Sequence, residues 1–279
     1  MTSAQTSTKP ASKYENNPFF VAVNGLELLF KKAQAIGIIF AVIAVLSAFS
    51  SLPTAFIPAD EPAMTPQQSA QADKEFADGI ASVPVGVWVL IAAVIVTVLL
   101  VAIAFGTVVG GVTDYTAAQL SHNKDVGFSE ALRAVFSNFW GYLWVNFIVT
   151  IKVFLWTLLF IIPGVIMSIR YSLAGVAYFD KKLKGNAAVK ESARLTKDGW
   201  LTTFASNSLF NLITFSLIAP LLVPGTRAVL YRQFRDYDAA GLAKPKAHVL
   251  SWLTLIIPIV LVVITILLVI AIVALIATQ

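Results

Sequence analysis

The sequence predicts an all-α polytopic integral membrane protein, and three observations carry that prediction. Hydrophobic residues make up 58% of the 279 residues and charged residues only 13%, about half of their share in a soluble domain. Uncharged runs long enough to cross a bilayer recur along the chain, and Lys and Arg gather between them. We therefore expect a helical bundle of about six or seven apolar legs, with hairpins broken at Pro-Gly and short amphipathic helices at the membrane interface.

The first half of the chain is predicted to contain a tail, two spans and an acidic loop. Residues 1–32 are polar and amphipathic, and they hold four Lys residues before the first uncharged run, at 33–59. An acidic outer loop, 58–80, separates that run from the second one, at 79–113. Since about 20 apolar residues cross the hydrocarbon core as a helix, each run can span the membrane. We expect 1–32 to form an inside tail with an amphipathic helix, and 33–279 to form one transmembrane domain.

Two hairpins are predicted in the second half. The apolar stretch 140–180 is too long for one crossing, and Pro163-Gly164 divides it. Proline removes a helical hydrogen bond and glycine tolerates a tight turn, so we expect the chain to reverse there. The stretch 200–234 is expected to turn near Pro220–Gly225. The leg from 221 to 234 is only about 21 Å long as a helix, so it either spans or is re-entrant.

The positions of the basic residues test these hairpins. With both hairpins in place and 249–279 as a final span, 16 loop Lys and Arg residues fall on one side and one on the other. With single crossings the split is 10 to 7, a poorer match to the rule that cytoplasmic loops are basic. The hairpins therefore predict a multi-pass protein with its N-terminus inside, in the plasma (inner) membrane if the source is bacterial. Loop placement also accounts for the net charge of +5, so we expect no nucleic-acid partner.

An internal repeat organises this region. The segment Ser129 to Trp140 reads SEALRAVFSNFW and is followed by an apolar stretch and IIPG. About 60 residues later, Ala187 to Trp200 reads AAVKESARLTKDGW and is followed by an apolar stretch and LVPG. Each copy is predicted to begin with an amphipathic helix in the headgroup layer that ends at Trp. The segment 17–32, NPFFVAVNGLELLFKK, resembles the start of a third copy.

These residues carry a resemblance to a known family. Together, FSEALRAVFSNFW, LWTLLFIIPGVIMSIRYSLA, AAVKESARLTKDGW and AVLYRQFRDYD resemble the glycerophosphoryl diester phosphodiesterase membrane-domain family, over a family-like core at 105–238. The resemblance implies a helical membrane bundle that is either fused to a phosphodiesterase catalytic domain or stands alone. We expect the stand-alone form, because no stretch of this chain could fold as that soluble catalytic barrel.

Catalytic and metal sites are not expected. The chain has no Cys, and His122 and His248 lack a metal-ligand spacing, so both are expected to be solvated loop residues. All fifteen Asp and Glu residues fall in the predicted tail or loops, which leaves no carboxylate pair within a span for acid-base chemistry. We therefore predict a non-enzymatic protein without a catalytic residue, metal or cofactor.

Three cations inside apolar stretches form the candidate site. Lys152, Arg170 and Arg227 have no carboxylate at the same predicted depth, and Lys152 is expected near the bilayer midplane. One interpretation is a site for an anionic phospholipid or solute, in which Arg offers a bidentate fork and Lys a point charge. The other, which we favour, is structural: Lys152 snorkels or stacks on Trp156, and the arginines bind backbone carbonyls at the Pro-Gly breaks.

Polar and small residues in other spans also have two interpretations. A stripe on the fifth apolar leg consists of Thr203, Asn207, Asn211 and Thr214. Hydrogen bonds between helices are its favoured role, and a polar pathway is the alternative. Gly106 and Gly110 permit close packing, either within the bundle or in a homo-oligomer.

The basic segment 181–197 is expected to rest on an anionic inner leaflet. The sequence thus predicts a non-enzymatic membrane protein with a lipid-contacting or accessory role, whose partners are membrane lipids, anionic phospholipid among them. The alternative is a small transporter or channel for an anionic solute.

Overall fold

The structure, a computed structural model, describes residues 14–50, 66–213 and 219–277, and every regular element in those ranges is an α-helix. The helices are α1 (Pro18–Lys32), α2 (Gln34–Ser50), α3 (Pro66–Ser82), α4 (Val85–Ser121), α5 (Phe128–Ser137), α6 (Phe139–Leu159), α7 (Ile161–Tyr171), α8 (Ala174–Lys181), α9 (Asn186–Thr196), α10 (Trp200–Ile213), α11 (Ala219–Ala239) and α12 (Val249–Ala277). Four apolar segments in these ranges are long enough to cross a membrane: Val85–Ser121, Phe139–Leu159, Ile161–Lys181 and Val249–Ala274. The predicted all-α class is confirmed for these ranges, and the four apolar segments are consistent with a membrane protein.

The helices form three units with the same order of parts. Each unit has an amphipathic helix (α1, α5 or α9), an apolar helix (α2, α6 or α10) and a closing segment (α4, α7 with α8, or α11). The amphipathic helix packs on the closing segment of the preceding unit: α5 on α4, α9 on α7 and α8, and α1 on α11. The apolar helices follow the same cycle, since α6 contacts α4, α10 contacts α7 and α2 contacts α11. This cycle places α1 where a third repeat copy belongs.

The amphipathic helices end earlier than the sequence suggested. α5 ends at Ser137 and α9 ends at Thr196, whereas Trp140 and Trp200 belong to the helices that follow. α5 buries Ala131 and Val135 against the main core, to which α1, α8, α11 and the second half of α4 also contribute. The amphipathic helices are therefore bound to the protein core along their apolar faces.

α1 and α11 cross at a pair of glycines. A Cβ atom on Gly25 would lie 2.5 Å from the carbonyl carbon of Gly225, and one on Gly225 would lie 2.9 Å from the Cα of Gly25. No larger residue fits such a backbone contact. Pro224 and Gly225 lie inside α11, so the helix is not broken at this pair and the glycine serves helix packing, whereas the predicted reversal of the chain near Pro220–Gly225 stays a prediction. The link between α10 and α11, residues 214–218, lies outside the described residues.

The α6–α7 hairpin also breaks at a different residue from the one predicted. α6 ends at Leu159 and is followed by Phe160, whose backbone is extended (φ −159°, ψ 143°), and α6 and α7 pack on each other. Pro163 lies in the first turn of α7, where an N–H group would have no helical partner. A Cβ atom on Gly164 would lie 2.8 Å from the Cα of Thr157. The Pro-Gly pair thus removes an unpaired donor and lets the two helices touch, while Phe160 makes the break.

Candidate functional site

Charged side chains connect the ends of several helices at one end of the bundle, here called the basic end. Lys32, the last residue of α1, lies 3.2 Å from Asp125 in the loop after α4. His122, at the end of α4, pairs with Asp180 in α8, and Arg235 of α11 lies 3.0 Å from the His122 Nε2. His122 lies in the turn after α4 and is exposed, as predicted for a loop histidine, and it also joins an interhelical cluster that the sequence did not predict. These contacts place the ends of α1, α4, α8 and α11 on the same side of the molecule.

The start and end of the basic segment are joined by a second charged cluster. Lys181 and Arg194 lie 2.6 Å and 2.9 Å from the Glu191 carboxylate. Arg194 also forms an ion pair with Asp238, in the last turn of α11. The Arg194 guanidinium, hydrogen-bonded to Glu191, lowers the pKa of that carboxyl from 4.5 to about 2. Lys190 and Lys197 point outward and are exposed. The basic end thus combines ion pairs that join its helices with exposed lysines, Lys190 and Lys197 among them.

The first of the three candidate cations, Lys152, bonds to the start of α9. Its Nζ donates a hydrogen bond of 2.6 Å to the Oδ1 of Asn186 and lies 5.8 Å from the ring centroid of Tyr171. The aromatic contact is thus with Tyr171 rather than with Trp156. Asn186 opens a polar, partly exposed helix, which argues against the predicted position of Lys152 at the bilayer midplane.

Arg170 is held by the same helix. Its Nη2 donates a 3.0 Å hydrogen bond to the carbonyl oxygen of Ala193, and the Oγ atoms of Ser192 and Thr196 donate to the Arg170 carbonyl at 2.8 Å and 2.9 Å. A backbone carbonyl is the partner that the structural interpretation expects, although it belongs to α9 and not to a Pro-Gly break. Lys152 and Arg170 together tie α9 to the α6–α7 hairpin.

Arg227 has a carboxylate partner that the sequence reasoning missed. It forms an ion pair with Asp114, whose other oxygen accepts a 2.7 Å hydrogen bond from the Tyr142 hydroxyl. Asp114 lies in α4 and is only 3% exposed, so the prediction that all carboxylates lie in the tail or loops was wrong. That prediction ended a span at the first charged residue, whereas α4 continues to Ser121 inside the protein. The sequence held one signal for this pair: Asp114 follows Gly110 by one helical turn, and Arg227 of another apolar leg is the Arg with which it pairs in this structure.

The polar stripe bonds mainly to its own helix where the structure describes it. Thr203 is buried, and its Oγ1 donates 2.9 Å to the Gly199 carbonyl. The Asn207 Nδ2 donates 2.9 Å to the Thr203 carbonyl. The side chain of Asn211 and the whole of Thr214 lie outside the described residues, so the pathway and packing roles of the stripe both stay predictions.

The two glycines of α4 line a groove. Gly110 faces the Tyr142 hydroxyl, whose oxygen would lie 3.1 Å from an added Cβ, but nothing lies within 4 Å of a Cβ on Gly106. Both line a largely apolar cavity of about 380 Å³ between α4 and α6, together with Asn146 and Phe147. Gly110 therefore packs within the bundle, and the oligomer role of Gly106 stays a prediction.

A second cavity, of about 490 Å³, lies between α4, α5 and the end of α8. Six polar side chains line it: Tyr115, Gln119, Asn138, Tyr178, Lys182 and Lys184. Sequence reasoning counted the two lysines only as members of the basic segment, because the approach of α4 and α5 to them depends on the tertiary fold.

Within the described ranges, no three His, Asp or Glu side chains come together as a set of metal ligands. In the comparisons with known proteins, no family model, no curated protein and no solved structure matches this chain.

Proposed function

We propose that this is a non-enzymatic, multi-pass membrane protein that contacts anionic phospholipid of the inner leaflet through its basic end. The observation that carries the proposal is the position of the basic end beside a large exposed apolar surface. The first half of α4 and most of α12 expose their large apolar side chains, as expected of surfaces covered by lipid. At the basic end, beyond the apolar half of α4, four exposed lysines lie in α9 and the loops beside it: Lys182, Lys184, Lys190 and Lys197. Cations at that level attract anionic headgroups with about 1 kcal/mol each.

The depth of the α6–α7 hairpin bears on whether it crosses the membrane. Tyr142 bonds to Asp114, and Phe147, later in α6, lines the same cavity as Gly106, earlier in α4. These two pairings show that α6 runs antiparallel to α4 and away from the basic end, and Gly106 and Phe147 mark a common level. From that level α4 continues 21 residues to Val85, about 32 Å, whereas α6 continues 13 residues to Phe160, about 20 Å. If α4 crosses the core of about 30 Å, the tip of the hairpin ends inside it. We propose that the hairpin is re-entrant.

In this proposal Lys152, Arg170 and Arg227 have structural roles. Each has its own protein partner in the described part of the chain, namely Asn186 for Lys152, the Ala193 carbonyl for Arg170 and Asp114 for Arg227. A charge with a hydrogen-bonded partner gains less from an added anion than an unpaired one does. The exposed lysines of the basic end are therefore better candidates for lipid contact than these three.

The family relation is part of the same proposal. We infer from the repeated unit that the chain is related to the glycerophosphoryl diester phosphodiesterase membrane-domain family, as a stand-alone membrane domain. The cycle of contacts between three units supports a bundle built by repetition. If the source is bacterial, the proposed location is the plasma (inner) membrane. The N-terminus is proposed to lie inside, because the basic residues gather at one end.

Native mass spectrometry of the protein released from nanodiscs with equal phosphatidylglycerol and phosphatidylcholine tests the proposal. We expect wild type to retain phosphatidylglycerol preferentially, and the double variant Lys190→Gln/Lys197→Gln to lose several-fold of that preference. Lys74→Gln is the control, because it removes one exposed charge from α3, on the predicted outer side, where the double variant removes two from the basic end. Equal retention of both lipids by wild type, or an equal loss in Lys74→Gln, would refute the proposal. Anion flux in liposomes that is abolished by Lys152→Gln would favour a transporter instead.

A further inference from the structure

The cavity between α4, α5 and α8 has the features of a built anion site. Its volume of about 490 Å³ lies within the range of small-molecule sites. Lys182 and Lys184 stand on one wall, and within the described residues neither ammonium group lies within 4.0 Å of a carboxylate. Gln119 and Tyr178 add neutral hydrogen-bonding groups on the walls formed by α4 and α8. Two exposed lysines and neutral hydrogen-bonding groups that line one cavity, open on one side to solvent, suit a phosphate group.

The hydroxyl groups of the cavity differ in what they can offer. Tyr115 donates a 2.7 Å hydrogen bond to Glu130, so its proton is engaged. Tyr178 makes only a long contact, 3.4 Å, with the Asn138 carbonyl, and its hydroxyl can turn toward a ligand. Phe179 supplies an apolar wall. The Tyr178 hydroxyl therefore joins the two lysines on the side of the cavity formed by α8 and the residues after it.

The backbone at Lys182 carries a cost that this interpretation explains. Lys182 ends α8 in the left-handed conformation, with φ 52° and ψ 32°. Glycine is the usual residue there, because a side chain in that conformation costs about 1 kcal/mol or more. A lysine at this position places an ammonium group at the cavity wall, which glycine would not do.

We propose that this cavity binds a phosphate ester, either the headgroup of an anionic phospholipid or a free ester such as glycerol 3-phosphate. The proposal deepens the proposed function, on which it rests only for the lipid as a source of the ester. It differs from general leaflet contact in depending on Lys182 and Lys184 and not on the total charge of the basic end.

Two probes test the site and separate the two sources of the ester. Glycerol 3-phosphate is titrated calorimetrically into the full-length protein in phosphatidylcholine nanodiscs. Phosphatidic acid, at a few per cent of the same nanodiscs, is followed as a single bound lipid by native mass spectrometry. Binding of the soluble ester assigns a free phosphate ester as ligand, and retention of phosphatidic acid alone assigns a headgroup; either supports the site.

Variants decide whether the cavity is responsible. We expect Lys182→Gln and Lys184→Gln each to weaken binding about tenfold, the usual effect of one charge-assisted hydrogen bond. Lys74→Gln, an equal loss of one exposed charge from α3, is expected to leave binding of both probes unchanged. Lys182→Gly relieves the left-handed backbone, so we expect unchanged or higher thermal stability together with the same loss of binding.

Three results would overturn the proposal. They are no binding of either probe by wild type, equal binding by Lys182→Gln and wild type, and an equal loss in Lys74→Gln. The earlier experiment removes only Lys190 and Lys197, so its result for phosphatidylglycerol is read separately from these outcomes. The phosphate-ester site can therefore be refuted while the proposed leaflet contact is supported, and the leaflet contact can be refuted while the site is supported.

Discussion

The buried pair of Asp114 and Arg227 should be a main determinant of stability. Asp114 is 3% exposed as a residue, and its side chain accepts hydrogen bonds from both Arg227 and Tyr142. Removing one partner of a buried ion pair leaves an uncompensated charge and costs about 3–5 kcal/mol. The side chain of Arg227 is 25% exposed and that of Asp114 only 5%, so water can solvate a lone Arg227 better than a lone Asp114. We therefore expect Arg227→Gln to be the more destabilising of the two single variants.

Thermal unfolding in a mild detergent, followed by tryptophan fluorescence, measures these effects. A loss of about 4 kcal/mol should lower the Tm by about 10 °C. The double variant Asp114→Asn/Arg227→Gln removes both charges and should cost less than the sum of the single variants, with a coupling of at least about 1 kcal/mol. Single variants that each cost under about 1 kcal/mol, or strictly additive costs, would show that the pair is solvated and would refute the reasoning.

Three further outcomes are expected. Gly225→Ala should lower the Tm by several degrees, because its Cβ would meet the α1 backbone, whereas Gly106→Ala, with open space around it, should leave the Tm nearly unchanged; equal Tm values would contradict the crossing. The lowered pKa of Glu191 stabilises the fold by about 2 kcal/mol after solvent screening, fully above pH 4.5 and progressively less toward pH 2. A pH series of Tm values should therefore fall less steeply below pH 4.5 for Glu191→Gln than for wild type, and parallel curves would contradict it. In the cysteine-free chain, Lys190→Cys should react with an impermeant maleimide only after permeabilisation and Ser69→Cys in intact cells, and the opposite pattern would reverse the proposed orientation.

The long helices could be predicted from sequence because their signal is local. Long uncharged runs predict α4 and α12, and apolar residues that recur with a period of 3.6 predict α5 and α9. The end of α4 was misplaced since a charged residue was taken as the end of a span. Asp114 is tolerated there because Arg227, far away in sequence, neutralises it. Composition cannot reveal such pairing before the helices are assembled.

The candidate sites were harder to predict because tertiary contacts define them. Lys152 looked like an intramembrane charge until Asn186, at the start of α9, was placed beside it. Lys182 looked like any member of a basic run, and only the fold gives it a left-handed backbone and a cavity to face. The Pro-Gly pairs were recognised as special residues, but their role in helix packing depends on the partner helix that approaches them.

The re-entrant hairpin makes the sharpest distinction between the sequence-based topology and the proposed one. A crossing hairpin exposes its tip to the outer solution, whereas a hairpin about 12 Å shorter than α4 keeps it in hydrocarbon. A nitroxide on Phe160→Cys should be reached by oxygen and shielded from a water-soluble nickel chelate, while one on Val85→Cys, at the outer end of α4, should be reached by the chelate. The tip can remain in hydrocarbon because Phe160 donates its N–H to the Trp156 carbonyl at 3.1 Å and accepts from Gly164 at 3.2 Å. Labelling of Phe160→Cys from outside by an impermeant reagent would show a full crossing and would refute the re-entrant hairpin.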